Sequence, residues 1–194
     1  MYKILTSFFI VAISLVACDS NASNNTNAKN ERTYRSSIAE YQQTTPAVTA
    51  FPIKEIIAGY LQLKNALVKD NGKAAAAAGN TIVVLLAKVD KTSLSASQQK
   101  IYGDLEDDIK ENAEHIGANA AKIEHQREHF EMLSKDIADL IKTFGNGGQT
   151  LYKDFCPMAN NGKGAIWISE IKEIKNPYFG GKMATCGSVK ETIK

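Results

Sequence analysis

The sequence predicts an all-α domain, an antiparallel four-helix bundle followed by a short, irregular C-terminal tail with minor β structure. No proline occurs between Pro52 and Pro157, and apolar residues recur at helical spacing through this stretch. Only short breaks separate the helical segments, which favours antiparallel neighbours in a bundle. After Gly147 and Gly148 the chain becomes rich in glycine, proline and aromatic residues, as expected of an irregular tail.

The first two predicted helices cover residues 53–69 and 73–89. Asp70, Asn71 and Gly72 separate them, because such residues favour turns over helix. The second helix begins with an alanine block, which has the highest helix propensity, and ends in the apolar segment 82–86, which we expect in the core. The apolar residues at helical spacing in the first helix are Ile53, Ile56, Ile57, Tyr60, Leu61, Leu67 and Val68.

The third and fourth predicted helices cover residues 96–116 and 120–144. Ser95 and Gln98 have the spacing of a capping box at the start of the third helix, and Gly145 is expected to end the fourth. The predicted buried stripes are Ile101, Leu105, Ile109, Ala113 and Ile116 in the third helix, and Ile123, Phe130, Leu133, Ile137, Leu140, Ile141 and Phe144 in the fourth.

The tail, residues 150–188, cannot form a core by itself and is expected to pack against the bundle. Ala165–Ile168 is predicted to be a short strand, because it is a brief apolar run between turn-forming residues. Asn176-Pro177 and Gly180-Gly181 are predicted to be turns.

The N-terminal segment has the pattern of an exported lipoprotein. The apolar run Ile4–Val16 is shorter than the roughly 20 residues that span a bilayer, and it ends in a lipobox-like sequence at Cys18. We therefore expect a signal peptide at 1–17, lipidation at Cys18, a polar tether at 18–50 and the folded domain at 51–194. The expected location is the cell envelope, on the extracytoplasmic side of a membrane (periplasmic or surface).

Composition and motifs exclude several classes of function. The formal net charge is +2 and no basic stripe is present, which disfavours nucleic-acid binding. The chain contains no phosphate-binding loop, nucleophile elbow or dinucleotide fingerprint, so we expect no enzymatic activity of those kinds.

Four sulfur-containing residues in the tail form the predicted metal site. Cys156 and Met158 stand at its start, and Met183 and Cys186 stand at its end, so a tail that folds back would bring them together. Thiolate and thioether are the ligands that Cu(I) prefers, and zinc is the second choice because methionine is a poor zinc ligand. The alternative is a Cys156–Cys186 disulfide with two structural methionines, the default for a pair of cysteines in an oxidising compartment.

Three histidines lie close together in the sequence, at positions 115, 125 and 129. His125, His129 and Met132 share one stripe of the fourth helix, and an antiparallel turn would bring His115 near the start of that helix. We expect His129, with His115, to complete the metal site; the alternative is that these are solvated surface histidines. His125, Glu128 and His129 also fit the inverted zinc-protease pattern H-x-x-E-H, with Glu170 or Glu173 as nominal third ligands. We expect no such protease, because the domain is small and the pattern is short.

These motifs resemble the domain-of-unknown-function 3347 family over about residues 54–190. Members of that family are exported bacterial proteins, often lipoproteins, and the domain also occurs in membrane-fusion subunits of heavy-metal efflux pumps. The resemblance implies soft-metal binding, with buffering of copper or its delivery to an efflux or metal-receiving envelope protein. A structural or interaction module braced by a disulfide is the alternative. The residues that carry the resemblance are Tyr60–Lys64, Ala66–Val68, Gln126–Phe130, Leu133-Ser134, Phe155–Ala159, Gly164–Ser169, Asn176–Gly180, Met183 and Cys186-Gly187.

Overall fold

The computed structural model describes residues 51–194. The predicted signal peptide (1–17), the lipidation site Cys18 and the tether (18–50) lie outside the described residues. Within 51–194, no helix has both the length and the apolar character needed to cross a bilayer.

Four helices form the main body of the domain, as the sequence predicts. They are α1 (Ile53–Val68), α2 (Gly72–Leu86), α3 (Ala96–Ala118) and α4 (Ile123–Phe144). Successive helices pack against each other, and α4 also packs against α1, which closes the bundle. A 3₁₀ turn, Lys91–Ser93, lies in the α2–α3 connection.

Helix ends are fixed by the local signals present in the sequence. The Asn71 side chain accepts a hydrogen bond from the backbone N–H of Ala74, which caps α2. Ser95 and Gln98 form both halves of the predicted capping box at the start of α3. Gly145 ends α4 with φ of 89°, a backbone conformation that side-chain-bearing residues rarely adopt.

The core follows the predicted stripes with corrections on α2 and α3. On α2, the prediction that the whole segment 82–86 lies in the core is wrong for Val84, whose side chain is 54% exposed. Ile109, Ala113 and Ile116 are fully buried, but the prediction that Ile101 belongs to this buried stripe is wrong, because its side chain is 42% exposed. Tyr102 occupies the core position instead. Its ring packs edge-on against Phe51, at 5.3 Å between centroids, and fills the end of the bundle with aromatic surface.

The tail folds into a three-stranded antiparallel sheet with strand order β2-β1-β3. The strands are β1 (Leu151–Cys156), β2 (Ala165–Ser169) and β3 (Ser188–Ile193), and a 3₁₀ turn spans Gly180–Met183. The prediction located only β2. That strand packs its buried face on α4 and α1, so the tail shares the core of the bundle.

Arg127 of α4 attaches the tail to the bundle. Its guanidinium is almost fully buried; Nε donates to the carbonyl of Pro177 at 2.9 Å, and Nη2 donates to the carbonyl of Leu67 at 3.2 Å and to Asp70 at 2.5 Å. The other carboxylate oxygen of Asp70 accepts from the backbone N–H of Gly181 at 2.9 Å. These bonds from Gly181 and Arg127 hold the pKa of Asp70 below its usual value. One charged network thus joins α4, the α1–α2 turn and the tail.

Candidate metal centre

The turn between α3 and α4 brings the three histidines together. His115 lies in the last turn of α3, and His125 and His129 lie one helical turn apart at the start of α4. Because the two helices are antiparallel neighbours joined by four residues, both ends face the same side of the molecule. The sequence-based expectation that His115 approaches the start of the fourth helix is met.

The potential ligand atoms of these three side chains all lie within 4.8 Å of one another. The rings of His115 and His129 stack at 4.3 Å between centroids, and the ring of His125 stands nearly perpendicular to that of His129 at 4.6 Å. Nitrogens that bind one zinc or copper ion at about 2.0–2.1 Å in tetrahedral geometry are separated by about 3.4 Å. Small side-chain rotations would therefore suffice to bring the three histidines onto one ion.

Neighbouring side chains fix the orientation of two of the rings. His129 Nδ1 lies 3.0 Å from Asn112 Oδ1, and Asn112 Nδ2 donates to the backbone carbonyl of Asp108 at 2.9 Å. The amide oxygen therefore faces the ring, so Nδ1 of His129 carries the proton and Nε2 keeps its lone pair. His125 Nδ1 likewise lies 3.1 Å from Glu128 Oε2. Such outer partners orient metal-binding histidines and raise their basicity as ligands.

The surroundings of His129 favour its neutral form. Burial lowers its pKa below the usual value, and the neighbouring His115 and His125 lower it further by repelling a positive charge. A neutral imidazole is the form that binds metal ions. His115 is exposed while the other two histidines are half-buried, so the cluster opens to solvent on the His115 side.

Within the predicted sulfur site, the two cysteine sulfurs are in contact. Cys156 Sγ lies 2.7 Å from Cys186 Sγ, and Cys156 is fully buried at the end of β1. Contact with the Cys156 sulfur raises the pKa of the Cys186 thiol. Among residues 51–194, the one group of three or more His, Cys, Asp or Glu ligands that converge is the histidine cluster, and it includes neither cysteine.

The two methionines of the predicted site lie differently. The strand alternation proposed to align Met158 with Cys156 does not apply, because β1 ends at Cys156 and Met158 lies in the following turn, 57% exposed. Met183 and Cys186 do share one turn, in which the Cys186 N–H donates to the Met183 carbonyl at 3.1 Å.

The zinc-protease pattern contributes two of the three clustered histidines. The glutamates considered as its third ligand are engaged elsewhere: Glu170 bonds Lys64 at 2.7 Å and Glu173 bonds Lys175 at 2.8 Å. The third residue of the cluster is therefore His125, which the predicted metal site omitted, and not one of these glutamates. The i, i+4 spacing of His125 and His129 was the signal for it, whereas nothing in the sequence marked Asn112 as the partner of His129.

Comparison with known proteins identifies a family for the helical part of the chain. Residues 56–149 match the family described as protein of unknown function (DUF3347). No curated protein and no solved structure matches the chain. The matched residues include the three histidines and end before the tail sheet, so the tail motifs lie outside the match. The predicted resemblance to this family is confirmed over residues 56–149.

Proposed function

We propose that this protein is a lipid-anchored, extracytoplasmic metal-binding protein that buffers copper or delivers it to an efflux or metal-receiving envelope protein. The observation that carries the proposal is the convergence of His115, His125 and His129, with two of their rings oriented by Asn112 and Glu128. Imidazole nitrogens suit both copper and zinc.

The form of the cluster supports exchange of the metal over permanent storage. Three protein ligands leave a fourth coordination position open, and the exposed side at His115 gives an incoming or outgoing ligand access to it. A buffering or delivery protein needs such access. A closed structural site would instead have four protein ligands in the interior.

We propose binding without catalysis. In the H-x-x-E-H reading, Glu128 would have to serve as a general base, but its carboxylate is hydrogen-bonded to His125 Nδ1. That bond gives Glu128 the role of orienting a ligand. Loss of hydrolytic activity in Glu128→Gln, in protein that contains stoichiometric zinc, would overturn this part of the proposal.

The anchor and the partner follow from the N-terminal sequence and the family resemblance. Cys18 would carry the lipid and residues 18–50 would tether the domain to the membrane surface. The partner would be an efflux or maturation protein that removes the metal.

The experiment that tests metal binding is a titration of the full chain with Cu(I) under anaerobic, reducing conditions against a competing chromophoric chelator, repeated with Zn(II). We expect one tight equivalent of copper, lost in His129→Ala and in His115→Ala. Asn112→Ala should weaken binding by about 10–100-fold, the usual effect of removing an outer partner of a ligand. Cys156→Ser is the control and should leave this equivalent in place. Binding that survives both histidine changes and is lost in Cys156→Ser would assign the metal to the tail sulfurs instead.

A second candidate function is a structural or interaction module, and the contact between the two cysteine sulfurs favours it. A Cys156–Cys186 disulfide would close a loop of about 30 residues and stabilise the tail by roughly 3–4 kcal/mol. Titration of free thiols in protein taken directly from the cell envelope tests this alternative. No free thiol, together with no metal binding by the histidines, would favour the module over the metal-binding function.

A further inference from the structure

A groove beside the histidine cluster contains two exposed thioethers. Met132 of α4 and Met158 of the turn after β1 both line it, and their side chains are 40% and 57% exposed. The groove encloses about 440 Å³, and the rings of Tyr178 and Phe179 form part of its wall. Methionines that are exposed in a shared groove have accessible thioethers, whereas core methionines are buried and fill packing gaps.

The groove is rich in carboxylates. Glu124, Glu128 and Glu131 line it from successive turns of α4. The one arginine in the wall, Arg127, has a buried guanidinium bonded to Asp70, to backbone carbonyls and to the groove carboxylate Glu124. Glu131 is paired with Lys135, and the Glu128 carboxylate meets His125. Carboxylates outnumber the cationic groups in the wall, which favours the entry of a positive ion.

Met132 connects this groove to the histidines. It also lines a second, smaller hollow of about 330 Å³ whose wall includes His129 and Asn112. His129 and Met132 are three residues apart on α4, so they occupy neighbouring positions on one helical face. A metal ion held at Met132 would therefore lie next to the histidine cluster.

We propose that Met132 and Met158 form a capture site for a soft monovalent metal ion, Cu(I) or Ag(I), from which the ion passes to the histidines. Thioether sulfur binds such ions and discriminates against hard divalent cations and, in large part, against zinc. Three imidazoles offer one more ligand than two thioethers, which favours passage of the ion to the histidines. The assignment rests on the proposed metal-binding function and names the class of metal that the site admits.

The test is NMR of the full chain carrying ¹³C-methyl methionine, titrated with Ag(I) and, separately, with Zn(II). We expect Ag(I) to shift the methyl signals of Met132 and Met158 together, while Met183, which does not line the groove, serves as the internal control. Zn(II), which the neighbouring histidines can also bind, should leave the Met158 and Met183 signals in place. Met158→Leu removes one thioether while keeping a side chain of similar volume. In this variant the Met132 signal should need at least about 10-fold more Ag(I) to shift, because loss of a direct ligand weakens metal binding more than loss of an outer partner does.

Two outcomes would overturn the capture site. One is that neither Met132 nor Met158 responds to Ag(I). The other is that Met158 shifts together with Met183 while Met132 stays in place, which would assign the ion to the cysteines of the tail. The same titration of His115→Ala separates this site from the proposed function, because the methionine shifts should persist there. If the methionine shifts persist in His115→Ala, the capture site stands. If the copper affinity of that variant is also unchanged, the histidine site is ruled out.

Discussion

Asp154, at the centre of the tail sheet, should make the stability of the domain depend on pH. It is fully buried in the middle strand opposite Trp167, and among residues 51–194 no group hydrogen-bonds either carboxylate oxygen. Burial raises its pKa from 3.8 to about 7, and the nearby Lys64 only partly offsets this effect. Each tenfold change in proton affinity is worth about 1.4 kcal/mol, so the charged form is disfavoured by as much as about 4 kcal/mol in the folded state.

The sign follows from which state holds the proton more tightly. Between pH 4 and pH 7 the folded chain keeps the Asp154 proton while the unfolded chain loses it, so the contribution of Asp154 to the free energy of unfolding falls as the pH rises. Asp154→Asn stays neutral at every pH. The difference in free energy of unfolding, variant minus wild type, should therefore rise by up to about 4 kcal/mol between pH 4 and pH 8.

Urea denaturation of the full chain, followed by Trp167 fluorescence at several pH values, measures this difference. Taking the difference cancels the contributions of the other titrating groups. Only its change with pH is diagnostic, because the substitution also changes stability by an amount that does not depend on pH. Asp107→Asn, which removes an exposed carboxyl on α3, is the matched control and should change stability by less than about 0.5 kcal/mol at each pH. A difference for Asp154→Asn that is constant with pH, or that falls as pH rises, would refute the reasoning.

Three further changes test the packing of the domain, each by urea denaturation of the full chain. Arg127→Lys should lower the free energy of unfolding by about 3 kcal/mol, because an ammonium group cannot reach all the acceptors of the buried guanidinium. A loss below about 1 kcal/mol would contradict the role of Arg127 in joining the tail to the bundle. Ser95→Ala should lower it by about 1 kcal/mol through loss of the α3 cap, whereas Ser97→Ala, two residues further on in the first turn of α3, should have a smaller effect; equal losses would argue against the cap. Gly180→Ala should lower it by about 1–3 kcal/mol, because φ is 51° there and the new methyl group would collide with the Asp70 carboxylate. Gly181→Ala is the control, since its methyl group would meet that carboxylate only at an ordinary 3.4 Å, and an equal loss there would contradict the argument.

The helices and the histidine cluster could be predicted because the information for them is local. Helical periodicity, the Ser95 capping box and Gly145 each act within a few residues, and the structure follows them closely. His125 and His129 are neighbours through helix geometry alone. An antiparallel turn then suffices to add His115.

The rest depends on contacts that are distant in the sequence. Strands β1 and β3 carry charged residues and little alternation. They form because β1 pairs with β2 across residues 157–164 and with β3 only after the longer connection 157–187. Asn112 became a partner of His129 through the register of α3 against α4. Likewise, whether Tyr102 or Ile101 enters the core depends on the rotation of α3 about its axis. The apolar character of two adjacent residues does not determine that rotation.

The Arg127 network has a consequence for where this domain can be cut. The family match ends at residue 149, yet the guanidinium that lies within the match donates to a carbonyl at Pro177, beyond it. A fragment that ends at residue 149 would expose the face of α4 that β2 covers and would leave a buried cation short of its acceptors. The cooperative folding unit is therefore longer than the segment of this chain that matches the family. Amide hydrogens of β1 and of α4 should accordingly exchange with solvent through the same global opening.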